Sequence, residues 1–210
     1  MRSRLALVAL VVAVSVAILF ADDTGNTFGT GTNVDRAGLT AWTSFGNIGA
    51  DDAANATCNA TGSDYLVVSA LGFSIDTGAT INGVTVRVEA TEHSGGTEVL
   101  SLQLQDEAAA LTGAADTSIT VSGTTMTVYT AGGASSLWSA TLTPAIVNDA
   151  DFGARAWYTT AHDVRIDFIT VAVTYTLPVT GPWPGQLMNQ MRGRLEPPPI
   201  VVAVRTVGVR

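Results

Sequence analysis

Residues 66–90, LVVSALGFSIDTGATINGVTVRVEA, carry two β-strand patterns separated by turn chemistry. Asp76, Thr77 and Gly78, followed by Asn82-Gly83, are turn formers: Asp and Asn bond their own backbone, and Gly accepts a left-handed conformation. From Val84 onward apolar and polar residues alternate strictly. That period of two puts Val84, Val86 and Val88 on one face and Thr85, Arg87 and Glu89 on the other, as a half-buried strand requires.

The same signals recur along the chain. Strands are predicted at residues 39–45, 65–75, 81–92, 98–105, 118–121, 124–130, 137–142, 154–160 and 164–176. In 98–105, Leu100, Leu102 and Leu104 alternate against Ser101, Gln103 and Gln105. In 164–176, Ile166, Phe168, Thr170, Ala172 and Thr174 are expected on one face and Ile169, Val171, Val173 and Tyr175 on the other. A strand apolar on both faces is expected at the centre of its sheet. One helical turn is predicted at residues 143–149, where Thr143 supplies the N-cap and Pro144 the first helical position. Many short strands at this spacing predict an all-β protein, an antiparallel β-sandwich with jelly-roll order, with a closed barrel as the alternative.

Composition supports this reading. Charged residues make up only 13% of the 210, and 21 are Gly, a mixture poor for helices. All ten basic residues are arginine. The net charge is −8, and every acid except Glu196 lies between Asp22 and Leu177, where the only bases are Arg36, Arg87, Arg155 and Arg165. Such an acidic body argues against binding a nucleic-acid backbone, which needs clustered cations. The single cysteine, Cys58, allows no intramolecular disulfide and no cysteine metal site, and is expected to be a buried, inert thiol.

The ends differ from the body. Residues 1–21 have a basic start, an apolar run and Ala21 before two aspartates, the layout of a secretory signal, or of an anchor if it is left uncleaved. Membrane contact is expected only through this segment. Residues 22–177 form the expected sandwich. Residues 178–210 form a Pro-rich linker with Trp183 and a C-terminal arm at 200–209, expected to be disordered or to pair with a neighbouring sheet edge. Leu177-Pro178-Val179-Thr180-Gly181 matches a wall-sorting motif, but polar and charged residues follow it in place of an apolar span.

A resemblance rests on particular residues. The succession Ala41-Trp42-Thr43-Ser44-Phe45-Gly46-Asn47-Ile48, Asp51-Asp52, Leu71-Gly72-Phe73-Ser74-Ile75 and Gly78 to Val84 carries its first half. Leu137-Trp138, Leu142-Thr143, Val147-Asn148 and Phe152-Gly153 carry the second. Together they resemble β-sandwich structural proteins of tailed phages, prophages and environmental viral sequences, which serve as virion-surface, decoration or tail-associated modules. The resemblance implies a structural role and brings no catalytic motif.

Candidate sites are few. His93 and His162 lie in or beside turns and are expected to be solvated. No nucleophile elbow is present. The oxygen-rich turns are the better candidates: Asn148, Asp149 and Asp151, and likewise Asp51 with Asp52, offer the donors a structural calcium takes. No other cofactor is expected. Trp42, Trp138 and Trp157 are expected in the core, with sugar stacking as their alternative. The function expected is a non-enzymatic structural or surface-display module, virion-associated, that self-assembles or contacts neighbouring subunits. The alternative is an exported cell-surface module that binds glycans or a host surface. The corresponding locations are the virion, or the cell exterior after export.

Overall fold

In this computed structural model the described residues are 21–178 apart from 107, 108, 112, 113 and 115; the side chains of 109, 161 and 162 are also outside the description. Residues 1–20 of the signal-like or anchor segment expected at 1–21, the arm, Trp183 and most of the sorting-like motif lie outside the described residues.

Among the described residues twelve strands follow in chain order: β1 (Ala21–Asp23), β2 (Thr27–Phe28), β3 (Thr30–Val34), β4 (Ala56–Thr61), β5 (Tyr65–Ser69), β6 (Thr80–Glu92), β7 (Thr97–Asp106), β8 (Ala109–Ala110), β9 (Thr117–Ser122), β10 (Thr127–Gly132), β11 (Gly153–Trp157) and β12 (Ala161–Thr176). A 3₁₀ turn spans Phe45–Ile48, and α1 spans Pro144–Val147. All strand pairs are antiparallel.

One sheet runs β4-β12-β6-β10, with β2 and β1 continuing along the same side of β12 beyond β4. The other runs β3-β5-β11-β7, with β9 and β8 pairing β7. Counting only β4–β7 and β9–β12, the chain places its first, eighth, third and sixth strands in one sheet. Its second, seventh, fourth and fifth strands form the other. That is the two-Greek-key winding of a jelly roll. β12 lies between β6 and β4, so its central position agrees with its sequence.

The core follows from the alternation. Val84, Val86, Val88 and Ala90 of β6 face Leu100, Leu102 and Leu104 of β7, all buried in one apolar cluster with Leu66, Val68, Ala154 and Ala156. Each large aliphatic side chain taken from water contributes about 1.5–3 kcal/mol. α1 forms where predicted, and the Thr143 hydroxyl accepts the Ile146 amide at 3.3 Å.

Several local expectations are corrected. Residues 39–45 form no strand: Ser44 is left-handed at φ 55° and starts the 3₁₀ turn, while the Trp42 indole donates to the Asp64 carbonyl at 2.9 Å. Residues 65–75 stop being a strand at Ser69, because Ala70 (φ 55°) and Gly72 (φ 68°) turn the chain. Residues 137–142 are turn, with Trp138 and Ser139 left-handed at φ 54° and 60°. β3 and β4, with few large apolar residues, had no clear signal.

The opening stretch needs two changes. Asp76 does close a turn, accepting the Ala79 amide at 2.9 Å on its carbonyl. The flanking strands, however, belong to different sheets, and Asn82-Gly83 lies inside β6. Gly83 is there because a Cβ would run into the Gly133 carbonyl and the Ala134 backbone.

In β12 the expected faces are half right. Ile166 pairs with Ala90 and Phe168 with Glu89, which leaves Asp167 as an extra residue in a bulge. A bulge breaks the period of two. Ile166 therefore joins Ile169, Val171 and Val173 in the core, and does not share a face with Phe168. Phe168 packs outside the core edge-on against Phe28, ring centroids 5.8 Å apart.

Candidate functional site

Three chain segments bring carboxylates together at the β12 bulge. Asp51 comes from the loop after the 3₁₀ turn, Glu89 from β6 and Asp167 from the bulge itself. One carboxylate oxygen of each lies within 4.8 Å of the others. The placement follows from the edge of β12. β4 pairs it as far as Ile166, Gly49 bridges to Phe168, and β2 resumes at Thr170. Asp167 therefore falls where one edge partner hands over to the next, and the Gly49 bridge carries the Asp51 loop across it.

The three groups differ in environment. Asp51 is exposed and Glu89 partly buried, whereas Asp167 is 2% exposed and its Oδ1 has no hydrogen-bond partner. Desolvation raises the Glu89 carboxyl above its ordinary range, and the neighbouring Asp167 carboxyl pushes the same way. The Asp51 charge adds to this, and Arg87 opposes it weakly. Among the described residues none of the three is ion-paired; the short ion pair here is Arg165–Asp163 at 3.1 Å. Converging carboxylates of this kind repel one another, and a hard cation bound between them relieves the repulsion.

Sequence reading reached this site only through Asp51. Glu89 looked like an ordinary outward residue of an alternating strand. Asp167 sat inside an apolar run whose bulge no local signal marks.

The predicted calcium turn at residues 148–151 is built differently. The Asn148 amide bonds both backbone groups of Ile75, accepting its N–H at 2.9 Å and donating to its carbonyl at 2.8 Å. Asp149 accepts the Asp151 amide at 2.9 Å, the local turn bond common for Asp. Asp149 and Asp151 are exposed. Asn148 thus clips the 70–75 segment to the end of α1.

The remaining candidates are woven into the scaffold. Trp42 is buried edge-on against Tyr158, centroids 5.8 Å apart, and the Trp138 indole donates to the Val84 carbonyl at 2.9 Å. Trp157 is buried outside the apolar cluster, against Tyr65 and near two arginines. There Arg155 stacks 4.2 Å from the Tyr65 centroid and bonds Gln103, while Arg36 donates to the Ser63 and Tyr158 carbonyls at 3.2 Å each. His93 is exposed in a turn; His162 falls in β12, its side chain outside the description. Cys58 is buried, and burial raises its thiol pKa. A cleft of about 300 Å³ beside Trp138 is lined by Asp116, Thr117 and Ser136.

Glu92 is a second buried carboxylate, and it is well satisfied. Burial alone would raise its pKa. Hydrogen bonds from the Ser94 hydroxyl and from the Gly96, Ser94 and Asp163 amides overcome this and lower it to about 2. The group anchors the β6–β7 turn. No family model matches this chain, and no curated protein matches it.

Proposed function

We propose that the chain is a non-enzymatic structural module that assembles edge to edge, as a decoration or tail-associated component of a virion. The observation that carries this reading is the flank formed by β9 and β10. Among the described residues β10 ends its sheet beside β6, and β9 pairs only with β7. Residues 117–132, TSITVSGTTMTVYTAG, contain no charged residue in a chain of net charge −8. Edge strands of monomeric sandwiches are ordinarily guarded by charge, proline or a cover. This one stands at a sheet edge, uncharged, beside an exposed Val128.

The jelly roll itself is used by viral capsid proteins and by lectins, so it supports the class of role and not the partner. For the glycan alternative, Trp42, Trp138 and Trp157 offer no exposed ring, since all three are buried. Sedimentation of the full chain over a concentration series tests the reading, with V128K placing a lysine on the β10 edge. Ordered multimers that V128K returns to monomer, its circular dichroism unchanged, support it. A chain monomeric throughout, or a V128K protein that assembles like the parent, overturns it.

A further inference from the structure

We propose that Asp51, Glu89 and Asp167 form a calcium site that fastens the loop after the 3₁₀ turn to the β12 bulge. The donors are all carboxylate oxygens, the ligands of a hard cation. Two ligands on opposite sides of a calcium ion stand about 4.8 Å apart, since each bond is about 2.4 Å. The three oxygens here lie within 4.8 Å of one another, so a single ion reaches them all.

The burial of Asp167 is the second, independent observation. A carboxylate oxygen withdrawn from water with no partner is costly, and native proteins rarely leave one so. Asp167 is 2% exposed and its Oδ1 is unpartnered. A further buried oxygen without a partner, Asn55 Oδ1, belongs to the residue just before Ala56. Ala56 pairs with Ile166, the residue just before Asp167. Two orphaned oxygens thus occur on neighbouring positions of paired strands. Asp51 remains exposed, which leaves the ion an entry path and room for water ligands to complete its shell.

The bulge is part of this geometry. An extra residue disrupts the ladder, and bulges serve to re-aim a side chain. Here it sets Asp167 and Phe168 together opposite Glu89, while Ile166 and Ile169 both stay in the core.

The full chain is stripped with EDTA, then titrated with calcium chloride and, separately, magnesium chloride, following the thermal midpoint and the heat of binding. Calcium a hundredfold above its dissociation constant is expected to raise the midpoint by roughly 5–10 °C. E89Q and D167N are each expected to lose at least tenfold in calcium affinity. In EDTA both should keep a folded circular dichroism spectrum, because each substitution relieves carboxylate repulsion. D149N, in the 148–151 turn, is expected to keep the full calcium response. Absence of a calcium response in the parent overturns the site, as does a response that E89Q and D167N retain or that D149N loses. A magnesium response equal to that of calcium overturns the choice of ion.

Discussion

Asp167 meets Glu89 across the β6–β12 ladder, although the register sets Glu89 opposite Phe168. One inserted residue keeps Ile166 in phase with the core and adds a carboxylate outside it. The same backbone irregularity therefore serves packing and polar chemistry at once.

The interior tryptophan is a pillar of the fold. Trp42 fills the core, meets Tyr158 edge-on and donates to the Asp64 carbonyl. Trp42→Ala is expected to cost about 3–5 kcal/mol, as for other large-to-small core changes. Trp42→Phe, which leaves the Asp64 carbonyl without its donor, is expected to cost about 1–3 kcal/mol. Urea denaturation of both variants gives the comparison.

Two glycines separate close approach from empty space. A methyl at Gly83 meets the backbone of Gly133 and Ala134, whereas one at Gly46 meets nothing within 4 Å. Gly83→Ala is expected to destabilise by about 1–3 kcal/mol. Gly46→Ala is expected to stay within about 0.5 kcal/mol of the parent. Thermal midpoints of the pair read the difference.

The 148–151 turn is predicted to divide into structural and dispensable parts. Asn148→Ala removes both bonds to Ile75 and is expected to cost about 1–3 kcal/mol. Asp149→Ala removes one exposed turn bond and is expected to cost within about 0.5 kcal/mol. Chemical denaturation distinguishes them.

Acid sensitivity is assigned to Glu92. Its folded pKa of about 2 lies below the ordinary 4.5, so the native state favours the ionised form. Its contribution to stability is complete above about pH 4.5 and is lost as the pH falls toward 2. The urea midpoint of the parent should fall through that window, and Glu92→Gln should flatten this part of the profile. An unchanged slope in the variant would assign the acid response to other groups.

Much of the sandwich was legible in the sequence, because alternation is strong wherever one face meets the core. Val84 to Val88 and Leu100 to Leu104 announced their strands and their faces. Residues 39–45 and 137–142 were read as strands, since Trp42 and Trp138 are aromatic signals set in bent backbone. β3 and β4 went unread because Gly, Thr, Asn and Ala dominate them. The acidic site needed three distant segments in register and one bulge, and no spacing along the chain encodes that. Only Asp51, in an openly acidic turn, showed itself.

The pairing of β1 with the end of β12 sets how the molecule bears a pull. Ala21 lies opposite Thr176, and the ladder continues inward through Asp22–Tyr175 and Asp23–Thr174. A force applied through the two flanks therefore opens this ladder rung by rung, as a zipper, instead of shearing all its bonds together. Next to yield are the Thr24–Val173 bonds and then β2. β12 itself is held along its other side by the ladder to β6, so the short β1 edge is the part expected to give first.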